Sequence, residues 1–530
     1  MAKGSERSPG RSAWIIGAGI LVSRIAGLIR DRVFAHYFGN SAAADAFRAA
    51  FRIPNLLQNL FGEGVLSASF IPVYAGLLAR KLDEDASRLA GAVATLLACT
   101  VAVLVLGGVL LTPALVGLIA PGFEGEKRAL TIRLVQVLFP AAGVLVLSAW
   151  CLGILNSHRR FFLSYAAPVM WNVALIATLL GFGSRVGQPL LAEALAWGAV
   201  AGSILQLGIQ LPAVLRLLQR LRLSLRWGLA EVRVVVRNFI PVCLGRGVVQ
   251  LSAYVDMLLA SFLPTGAVAA LSYAQTLYLL PLSLFGMSVS AAELPAMASA
   301  LGSEREVAAA LRRRLDAGLR QIAFWTIPSA VAFLALGDVI VAAVYQSGHF
   351  SPADVVYVWG VLAGSSLGLL ASALGRLYAS AYYALRDTRT PLCYALAHVS
   401  LASVLGYLFA IPLPAVLGLE RRWGVAGLTL AAGLAGWVEL ALLRRTLKGR
   451  IGPTGLPGAA VGRLWGAAAL GAAAAWGIKL ALGPRHPLLL APLVLGPYGL
   501  VYVALAWRWG SPEALALLAR AARTRGRGRR

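Results

Sequence analysis

The sequence NLFGEGVLSASFIPVYA at 59–75 has a second copy later in the chain, SLFGMSVSAAELPAMA at 283–298. The tripeptide Leu-Phe-Gly occupies corresponding positions in the two copies, at 60–62 and at 284–286. The copies lie about 225 residues apart, and self-similarity at a constant spacing is the sequence signature of an internal duplication. The repeat therefore predicts a fold built from two homologous halves.

Both copies lie within long apolar stretches. Of the 530 residues, 59% are apolar and 13% are charged, whereas soluble domains carry about 25% charged residues. This composition excludes a cytosolic enzyme and a disordered chain, because most of the chain has to avoid water. The 56 glycines follow no three-residue period, which excludes a collagen-like fibre.

Apolar stretches of about twenty or more residues with few charges predict about fourteen transmembrane helices. The fold class is therefore an all-α polytopic membrane protein. The predicted spans are 12–37, 43–79 (broken), 89–112, 129–155, 163–183, 190–215, 238–263, 266–300 (broken), 318–345, 353–381, 391–412, 423–443, 461–482 and 487–508.

The basic residues lie between the apolar stretches, and the net charge is +26. If the N-terminus is cytoplasmic, the cytoplasmic segments hold 30 Lys and Arg residues and the outer segments hold 6. This bias obeys the positive-inside rule and predicts that both termini are cytoplasmic. It also accounts for the charge without a nucleic-acid partner, and the basic C-terminal tail is predicted to contact anionic membrane lipids.

The duplication and the topology together predict the architecture. Six spans precede a basic segment and six follow it in the same orientation, so two six-helix lobes are expected around a central cavity, as in transporters. Two extra helices follow at the C-terminal end. The predicted divisions are an N-lobe (1–217), a basic cytoplasmic linker (218–237), a C-lobe (238–447), helices thirteen and fourteen (448–510) and a basic cytoplasmic tail (511–530).

The second predicted helix carries a polar stripe. Its members are three or four residues apart and therefore share one helical face: Asp45, Arg48, Arg52, Asn55 and Asn59. A charge near mid-bilayer costs about 2.5–3.5 kcal/mol on insertion scales, so the stripe is predicted to line a water-filled cavity or to pair within the bundle. Matching breaks, at Pro54 and 62–64 and again at Pro281 and Gly286, are typical of a binding site.

Helices one and two are also rich in arginine. The cations are Arg24, Arg30, Arg32, Arg48 and Arg52, and the anions are Asp31, Asp45 and Glu63. An arginine excess in a cavity fits an anionic substrate, because guanidinium binds phosphate through forked hydrogen bonds and stays charged. The alternative is that ion pairs, for instance Arg24 or Arg30 with Asp45 or Glu63, hold the two helices together.

No enzyme signature has the required context. The sequence GSSLG at 364–368 matches G-x-S-x-G but lies inside a predicted membrane helix, without the strand-turn-helix setting of a nucleophile elbow. The chain has no Walker loop, no G-x-G-x-x-G and no histidines at metal-ligand spacing. We therefore expect a transporter with no cofactor, driven by the membrane potential or an ion gradient.

The long sequence SRIAGLIRDRVFAHYFGNSAAADAFRAAFRIPNLLQNLFGEGVLSASFIPVYA at 23–75 resembles the MurJ (MviN) lipid II flippase family. Further matching segments are APGF (120–123), GILNSHRRF (153–161), LFGMSVSAAELP (284–295), QSGHF (346–350) and ALRDTRTP (384–391). The family belongs to the multidrug/oligosaccharidyl-lipid/polysaccharide exporter (MOP) superfamily. The resemblance implies that lipid II, an undecaprenyl-pyrophosphate-linked disaccharide-pentapeptide, moves to the periplasmic leaflet of the bacterial inner membrane for cell-wall synthesis. Cell-wall synthesis proteins are further candidate partners.

The resemblance also implies a binding site. Arg24 and Arg30 match family arginines thought to hold the pyrophosphate, and Asp45, Asn55 and Glu63 match cavity positions. The chain departs from the family at Gln58 and Thr276, where arginines are usual. We hypothesise that Arg48 or Arg52 supplies the missing charge. The predicted substrate-binding residues are Arg24, Arg30, Asp45, Arg48, Arg52, Asn55, Gln58 and Glu63.

Two other functions remain open at this stage. One is a MOP exporter for a different polyprenyl-linked glycan or for drugs and cations, although cation antiport would favour an acidic rather than an arginine-rich lobe. The other is a substrate-free scaffold in a cell-wall complex, which Gln58 and Thr276 favour.

Overall fold

The computed structural model describes residues 9–218, 230–299 and 303–527. Almost all of these residues are helical, and none of them forms a β-strand. The predicted all-α class is therefore confirmed. The chain forms two compact units, the first made of Met1–Val268 with Ser347–His349 and the second made of Ala269–Gln346 with Phe350–Arg530.

The first unit contains ten of the described helices. They are α1 (Pro9–Phe38), α2 (Ala42–Phe61), α3 (Glu63–Ser69), α4 (Ile71–Ala79), α5 (Asp83–Leu110), α6 (Thr112–Ile119), α7 (Gly125–Ser157), α8 (Phe161–Phe182), α9 (Gln188–Leu217) and α10 (Ala230–Ser261). Helix α7 is the most deeply buried long helix of this unit and packs against α2, α5 and α9.

The second unit contains almost all of α11 and the ten described helices that follow it. They are α11 (Ala267–Pro281), α12 (Ser288–Ala298), α13 (Glu304–Ala335), α14 (Gly337–Tyr345), α15 (Pro352–Ala384), α16 (Arg389–Ala410), α17 (Pro412–Val416), α18 (Gly424–Ile451), α19 (Gly458–Leu482), α20 (Pro487–Arg508) and α21 (Pro512–Arg527). A π-helical segment, Leu282–Met287, joins α11 to α12, and a 3-10 turn, Arg421–Trp423, precedes α18.

The membrane-spanning helices agree with most of the predicted spans. Eleven segments are long and apolar enough to cross a membrane, and α13 with α14, bent by 82°, makes a twelfth. These coincide with twelve of the predicted spans. The other two predictions fall on α1 and α10, which have 30 and 32 residues but do not pass the same test over the described residues. The protein is thus a multi-pass membrane protein, and the count of fourteen is not confirmed.

Helix α2 ends at the break predicted for 62–64, but the break predicted at Pro54 is wrong, because the helix runs through Pro54. It begins at Ser41, whose Oγ accepts a hydrogen bond from the backbone N–H of Ala44, and it ends at Gly62. A Cβ atom at Gly62 would lie 2.2 Å from the backbone oxygen of Gln58, so a larger residue at this step requires the backbone to shift. In the second copy the corresponding break is the π-helical segment that follows Pro281.

Helix α15 is central to the second unit and packs against α13 and α18. A Cβ atom at Gly368 of α15 would lie 2.4 Å from Cα of Gly433 in α18, so the two backbones touch directly. Small residues at such crossings let membrane helices approach closely and gain van der Waals contact. This contact matters because lipid tails are as apolar as the helices, so no hydrophobic force drives the helices together.

The extra C-terminal helices α19 and α20 are part of the second unit. The Tyr498 hydroxyl donates a 2.6 Å hydrogen bond to the carbonyl of Pro328. The Tyr502 hydroxyl donates to the carbonyl of Phe324, which has no helical N–H partner one turn later because that position is Pro328. Trp476 Nε1 donates to the carbonyl of Ala335, and Lys479 pairs with Asp338. Polar groups at the α13–α14 bend therefore anchor both helices.

Helix α10 lies in the first unit, although the predicted lobes assign most of it to the second half. A duplication describes ancestry in sequence, whereas a compact unit describes packing, so the two divisions need not coincide. Residues 219–229 of the predicted linker lie outside the described residues. The domain boundaries inferred from the repeat stay a prediction.

Candidate functional site

The first unit contains a polar cavity of about 450 Å³ between α1, α2, α7, α8 and α9. Its polar lining residues are Ser23, Arg24, Gln58, Ser148, Tyr165, Trp171, Asn172 and Gln206. Polar side chains at membrane depth are expected to face the bundle interior or water, so this cavity is the candidate binding site.

Among the predicted site residues, Arg24 lines the cavity and is charged. Its side chain is exposed on the cavity wall and makes no ion pair among the described residues. An uncompensated guanidinium at this depth is stable only next to water or an anion. The cavity can therefore accept an anionic group at Arg24.

Arg30 is held in place at the edge of the same cavity. Its Nη1 donates to Oδ1 of Asn172 at 3.0 Å, and its Nη2 donates to Oδ1 of Asp31 at 3.1 Å. The guanidinium also lies 5.2 Å from the ring centroid of Trp171. Because Trp171 and Asn172 both line the cavity, these contacts hold Arg30 beside it.

Asp31 is a buried counter-ion for two arginines. It is 3% exposed, and its Oδ1 also accepts a 3.2 Å contact from Nη2 of Arg48. Arg48 in turn lies 4.4 Å over the ring of Phe34 and does not line the cavity. From the sequence alone, Asp31 is only one negative charge, because spacing along the chain carries no information on which helix faces it.

Arg52 faces a different neighbour. It interacts electrostatically with Tyr254 and Asp256 of α10, and the Tyr254 hydroxyl donates to the backbone oxygen of Arg52 at 3.1 Å. The polar stripe of α2 therefore does not face a single cavity. Its residues contact α1, α7 and α10 separately.

Asp45 connects α2 to α7 and to the loop before α11. It is fully buried, and its Oδ2 accepts hydrogen bonds from Lys127 Nζ at 2.6 Å and from the backbone N–H of Gly266 at 2.8 Å. Lys127 also lies 4.0 Å from the ring centroid of Phe123. The ion-pair alternative is thus realised here, but with Lys127 of α7 and not with Arg24 or Arg30.

The remaining predicted residues differ in position. Gln58 lines the cavity, and Asn55 lines a small void next to it. The side chain of Glu63 lies outside the described part of the structure, and its backbone begins α3. Thr276 lies in the second unit, where its hydroxyl donates to the carbonyl of Ser272 in the same helix.

A hydrogen-bonded trio on α7 and α9 was missed from the sequence. Ser148 Oγ donates to Oε1 of Gln210 at 2.6 Å and accepts from Nε2 of Gln206 at 2.9 Å. The only sequence signal was the occurrence of Gln and Ser within apolar spans. Amides and hydroxyls beside an arginine can bind a polar, anionic head group, but they include no nucleophile–base pair for covalent chemistry.

The chain is similar to known proteins over most of its length. A model of the family described as "Lipid II flippase MurJ" matches residues 34–484. A probable lipid II flippase MurJ from Rhizobium meliloti is 33% identical over 82% of this chain and 79% of its own length.

Two solved structures share the fold. A lipid II flippase MurJ in an inward closed conformation has a TM-score of 0.76 at 23% identity, covering 93% of this chain and 98% of that one. An inward-facing multidrug resistance MATE transporter of the MOP superfamily has a TM-score of 0.62 at 16% identity, over 81% and 95%. Together with the family match over most of the sequence, these similarities show that the chain belongs to the lipid II flippase MurJ family.

Proposed function

We propose that this protein is a flippase that moves lipid II from the cytoplasmic to the periplasmic leaflet of the bacterial inner membrane by alternating access. The observation that carries the proposal is the family match over residues 34–484. The family consists of transporters, so the protein belongs with transporters rather than enzymes. The first unit adds a polar cavity with an uncompensated arginine on its wall.

Arg24 and Arg30 are the proposed pyrophosphate ligands. A guanidinium has five N–H donors. The described contacts of Arg30 to Asp31 and Asn172 use three of them, so two stay available for an anion. Arg24 has no ion pair among the described residues, so both arginines can donate to phosphate oxygens in the forked geometry that guanidinium favours.

The charge balance of the first unit supports an anionic ligand. Asp31 compensates part of the charge of Arg30 and Arg48, and Lys127 compensates Asp45. The cavity wall itself carries Arg24 and no acidic side chain among the described lining residues. A cationic drug would meet repulsion there, whereas a pyrophosphate would be attracted.

The neutral polar wall suits the glycan part of the substrate. Gln58, Gln206 and Asn172 present amide groups that can donate to and accept from sugar hydroxyls. Arg48 and Arg52 stay candidates for the charge that is missing at Gln58 and Thr276. The ion pair of Arg48 with Asp31 and the electrostatic interaction of Arg52 with Asp256 support a structural role for these two arginines instead.

We further propose that both termini are cytoplasmic, because 30 of the loop cations lie on the side of the termini and 6 lie on the other. Transport would be driven by the membrane potential or an ion gradient and would need no cofactor. Membrane lipids and cell-wall synthesis proteins are the other proposed partners, and no nucleic acid is expected.

The test is rescue of cells depleted of their own lipid II flippase. The unsubstituted gene should restore growth and cell shape, and the purified protein in vesicles should move labelled lipid II between leaflets. Arg24→Ala should abolish rescue at unchanged abundance, and Arg24→Lys should retain part of it, because an ammonium lacks the planar fork.

Arg80→Ala is the matched control, since Arg80 is exposed at the end of α4 and should rescue normally. Translocation of another polyprenyl-linked glycan but not lipid II would redirect the substrate assignment. Normal rescue by an Arg24→Ala, Arg30→Ala double variant would eliminate the proposed site.

A further inference from the structure

The hydrogen-bonded trio of Ser148, Gln206 and Gln210 is a part of the cavity that the proposed pyrophosphate contacts leave unused. Ser148 and Gln206 line the cavity together with Arg24, whereas Gln210 is fully buried and bonds to Ser148 from outside the lining. The most exposed member of the trio, Gln206, is 8% exposed. Polar side chains buried this deeply in a membrane helix bundle are expected to serve one another or a ligand.

The two hydrogen bonds of the trio fix the direction in which each group donates. The Ser148 hydroxyl has one proton, which it donates to Oε1 of Gln210 at 2.6 Å. The Ser148 oxygen therefore accepts the 2.9 Å hydrogen bond from Nε2 of Gln206. This bond leaves the Oε1 atom of Gln206 for another partner, and no described residue donates to it. The trio thus offers the cavity one acceptor, Gln206 Oε1, and the second N–H of the same amide.

The trio is chemically different from the arginine on the same cavity wall. Arg24 is a donor only, so it suits phosphate oxygens. A phosphate oxygen beside Gln206 Oε1 would place two acceptors against each other, with no proton between them. The trio therefore suits an uncharged group that donates a hydrogen bond and also accepts one.

An apolar strip borders the trio on α7. Leu145 and Leu152 lie three residues before and four residues after Ser148, so they share one face of the helix, and Ala149 lies beside them on the cavity wall. An acetamido group matches this combination, because its N–H donates, its carbonyl accepts and its methyl group can pack against apolar side chains. A sugar hydroxyl has no methyl group that could use the strip.

The size of the cavity limits which part of the substrate it can hold. Its volume of about 450 Å³ is within the range of about 300–1,000 Å³ that is usual for small-molecule sites. A disaccharide-pentapeptide is larger than a small molecule of this kind. The cavity is therefore expected to contact the pyrophosphate and the sugar that is joined to it.

We propose that Ser148, Gln206 and Gln210 form a subsite for the acetamido group of the sugar attached to the pyrophosphate. Gln206 contacts the ligand, Ser148 holds the Gln206 amide in its orientation, and Gln210 is a positioning residue that fixes the Ser148 proton. The subsite selects an N-acetylated sugar over one with a hydroxyl at the same carbon. The identity of the ligand rests on the proposed flippase function, but the preference for an acetamido group is measured without transport.

The test compares the binding of two probes that differ in one group. The probes are undecaprenyl pyrophosphate linked to N-acetylglucosamine and the same lipid linked to glucose, each titrated against the purified protein in detergent micelles. The unsubstituted protein should bind the first probe about tenfold more tightly. The reason is that a hydroxyl neither fills the apolar strip nor satisfies both hydrogen-bonding groups of the Gln206 amide.

Two variants test the contribution of the trio. Gln206→Met keeps an unbranched side chain of similar length but removes both hydrogen-bonding groups, so the preference should fall below about threefold. Gln210→Met should also lower the preference, although Gln210 does not line the cavity. Without that acceptor, the Ser148 hydroxyl can donate to Gln206 Oε1 instead, and the amide then turns its N–H groups to the cavity.

Ser203→Ala on the same helix is the matched control. The Ser203 hydroxyl is buried and donates to the carbonyl of Val200 in its own helix, so its loss should leave the tenfold preference unchanged. If Gln206→Met does not fold, Ser148→Ala removes a single hydroxyl from the trio and carries the same expectation.

The outcomes separate the subsite from the flippase function. Equal affinity of the unsubstituted protein for the two sugar probes overturns the subsite, and so does a preference that survives in Gln206→Met or in its replacement, Ser148→Ala. Neither result bears on the flippase function, which translocation of lipid II in vesicles tests separately. A preference that depends on the trio in a protein that does not move lipid II supports the subsite and refutes the function.

Discussion

Asp31 is expected to stabilise the first unit by serving two arginines at once. Its Oδ1 lies 3.1 Å from Nη2 of Arg30 and 3.2 Å from Nη2 of Arg48, and the residue is 3% exposed. Asp31→Asn keeps the shape of the side chain but removes the shared negative charge. Removal of one partner from a buried ion pair costs about 3–5 kcal/mol. Because Arg30 keeps its contacts with Asn172 and Trp171, we expect the lower end, about 3 kcal/mol.

The assay is thermal unfolding of the purified protein at a constant scan rate. A loss of about 3 kcal/mol corresponds to a lower melting temperature by about 6–12 °C for a unit of this size. The matched control is Glu84→Gln, which removes an exposed pair with Arg88 one helical turn away and should cost about 0.5 kcal/mol or less.

A double variant tests the cause of the loss. Asp31→Asn with Arg48→Met should regain part of the stability, since it also removes one of the two cations that pair with Asp31. If Asp31→Asn melts within about 1 °C of the unsubstituted protein, the shared counter-ion is not stabilising and the reasoning is refuted. If the double variant is no more stable than the single one, the loss has another origin.

Three further outcomes follow from the packing and the loop chemistry. Gly62→Ala should cost about 1–3 kcal/mol, because its Cβ meets a backbone oxygen, whereas Gly76→Ala, with open space around it, should be neutral or stabilising in thermal unfolding. Tyr498→Phe should cost about 1 kcal/mol and increase hydrogen exchange in α20, because a buried hydroxyl donor to α13 is lost. Burial lowers the pKa of His158 below its ordinary 6.5, so as the pH falls the unfolded chain binds a proton at this residue before the folded protein does. The stability of the folded protein should therefore fall as the pH drops below about 6.5. His158→Gln should remove that dependence, and a pH profile that it leaves unchanged would contradict the assignment.

Much of the fold could be predicted from local sequence properties. Hydropathy placed twelve of the spans, since a membrane helix has to be apolar along its own length regardless of its neighbours. The breaks near Gly62 and Pro281 were equally local, because they depend on backbone space and on a missing N–H. The long motif at 23–75 identified the family before any contact was known, and the family match confirms it.

The partners of the charged side chains could not be predicted in this way. The stripe on α2 was correctly placed on one helical face, but Arg48 contacts α1, Asp45 contacts α7 and Arg52 lies near α10. An ion pair joins residues that are far apart in the sequence, and its identity depends on how each helix is rotated about its axis. Packing of neighbouring helices sets that rotation, and helical periodicity does not.

The sequence by itself determined that this chain crosses a membrane many times, is duplicated and belongs to a flippase family. Hydropathy, charge bias and motifs are properties of short segments, so they can be recognised without knowledge of the tertiary contacts. Only the tertiary structure decided that Arg24 and Asn172 line one cavity, that Arg30 donates to Asn172, that Asp31 pairs with two arginines and that His398 meets Glu439. Each of these arrangements requires two or more helices to lie side by side, and their energies come from distances that no single segment contains.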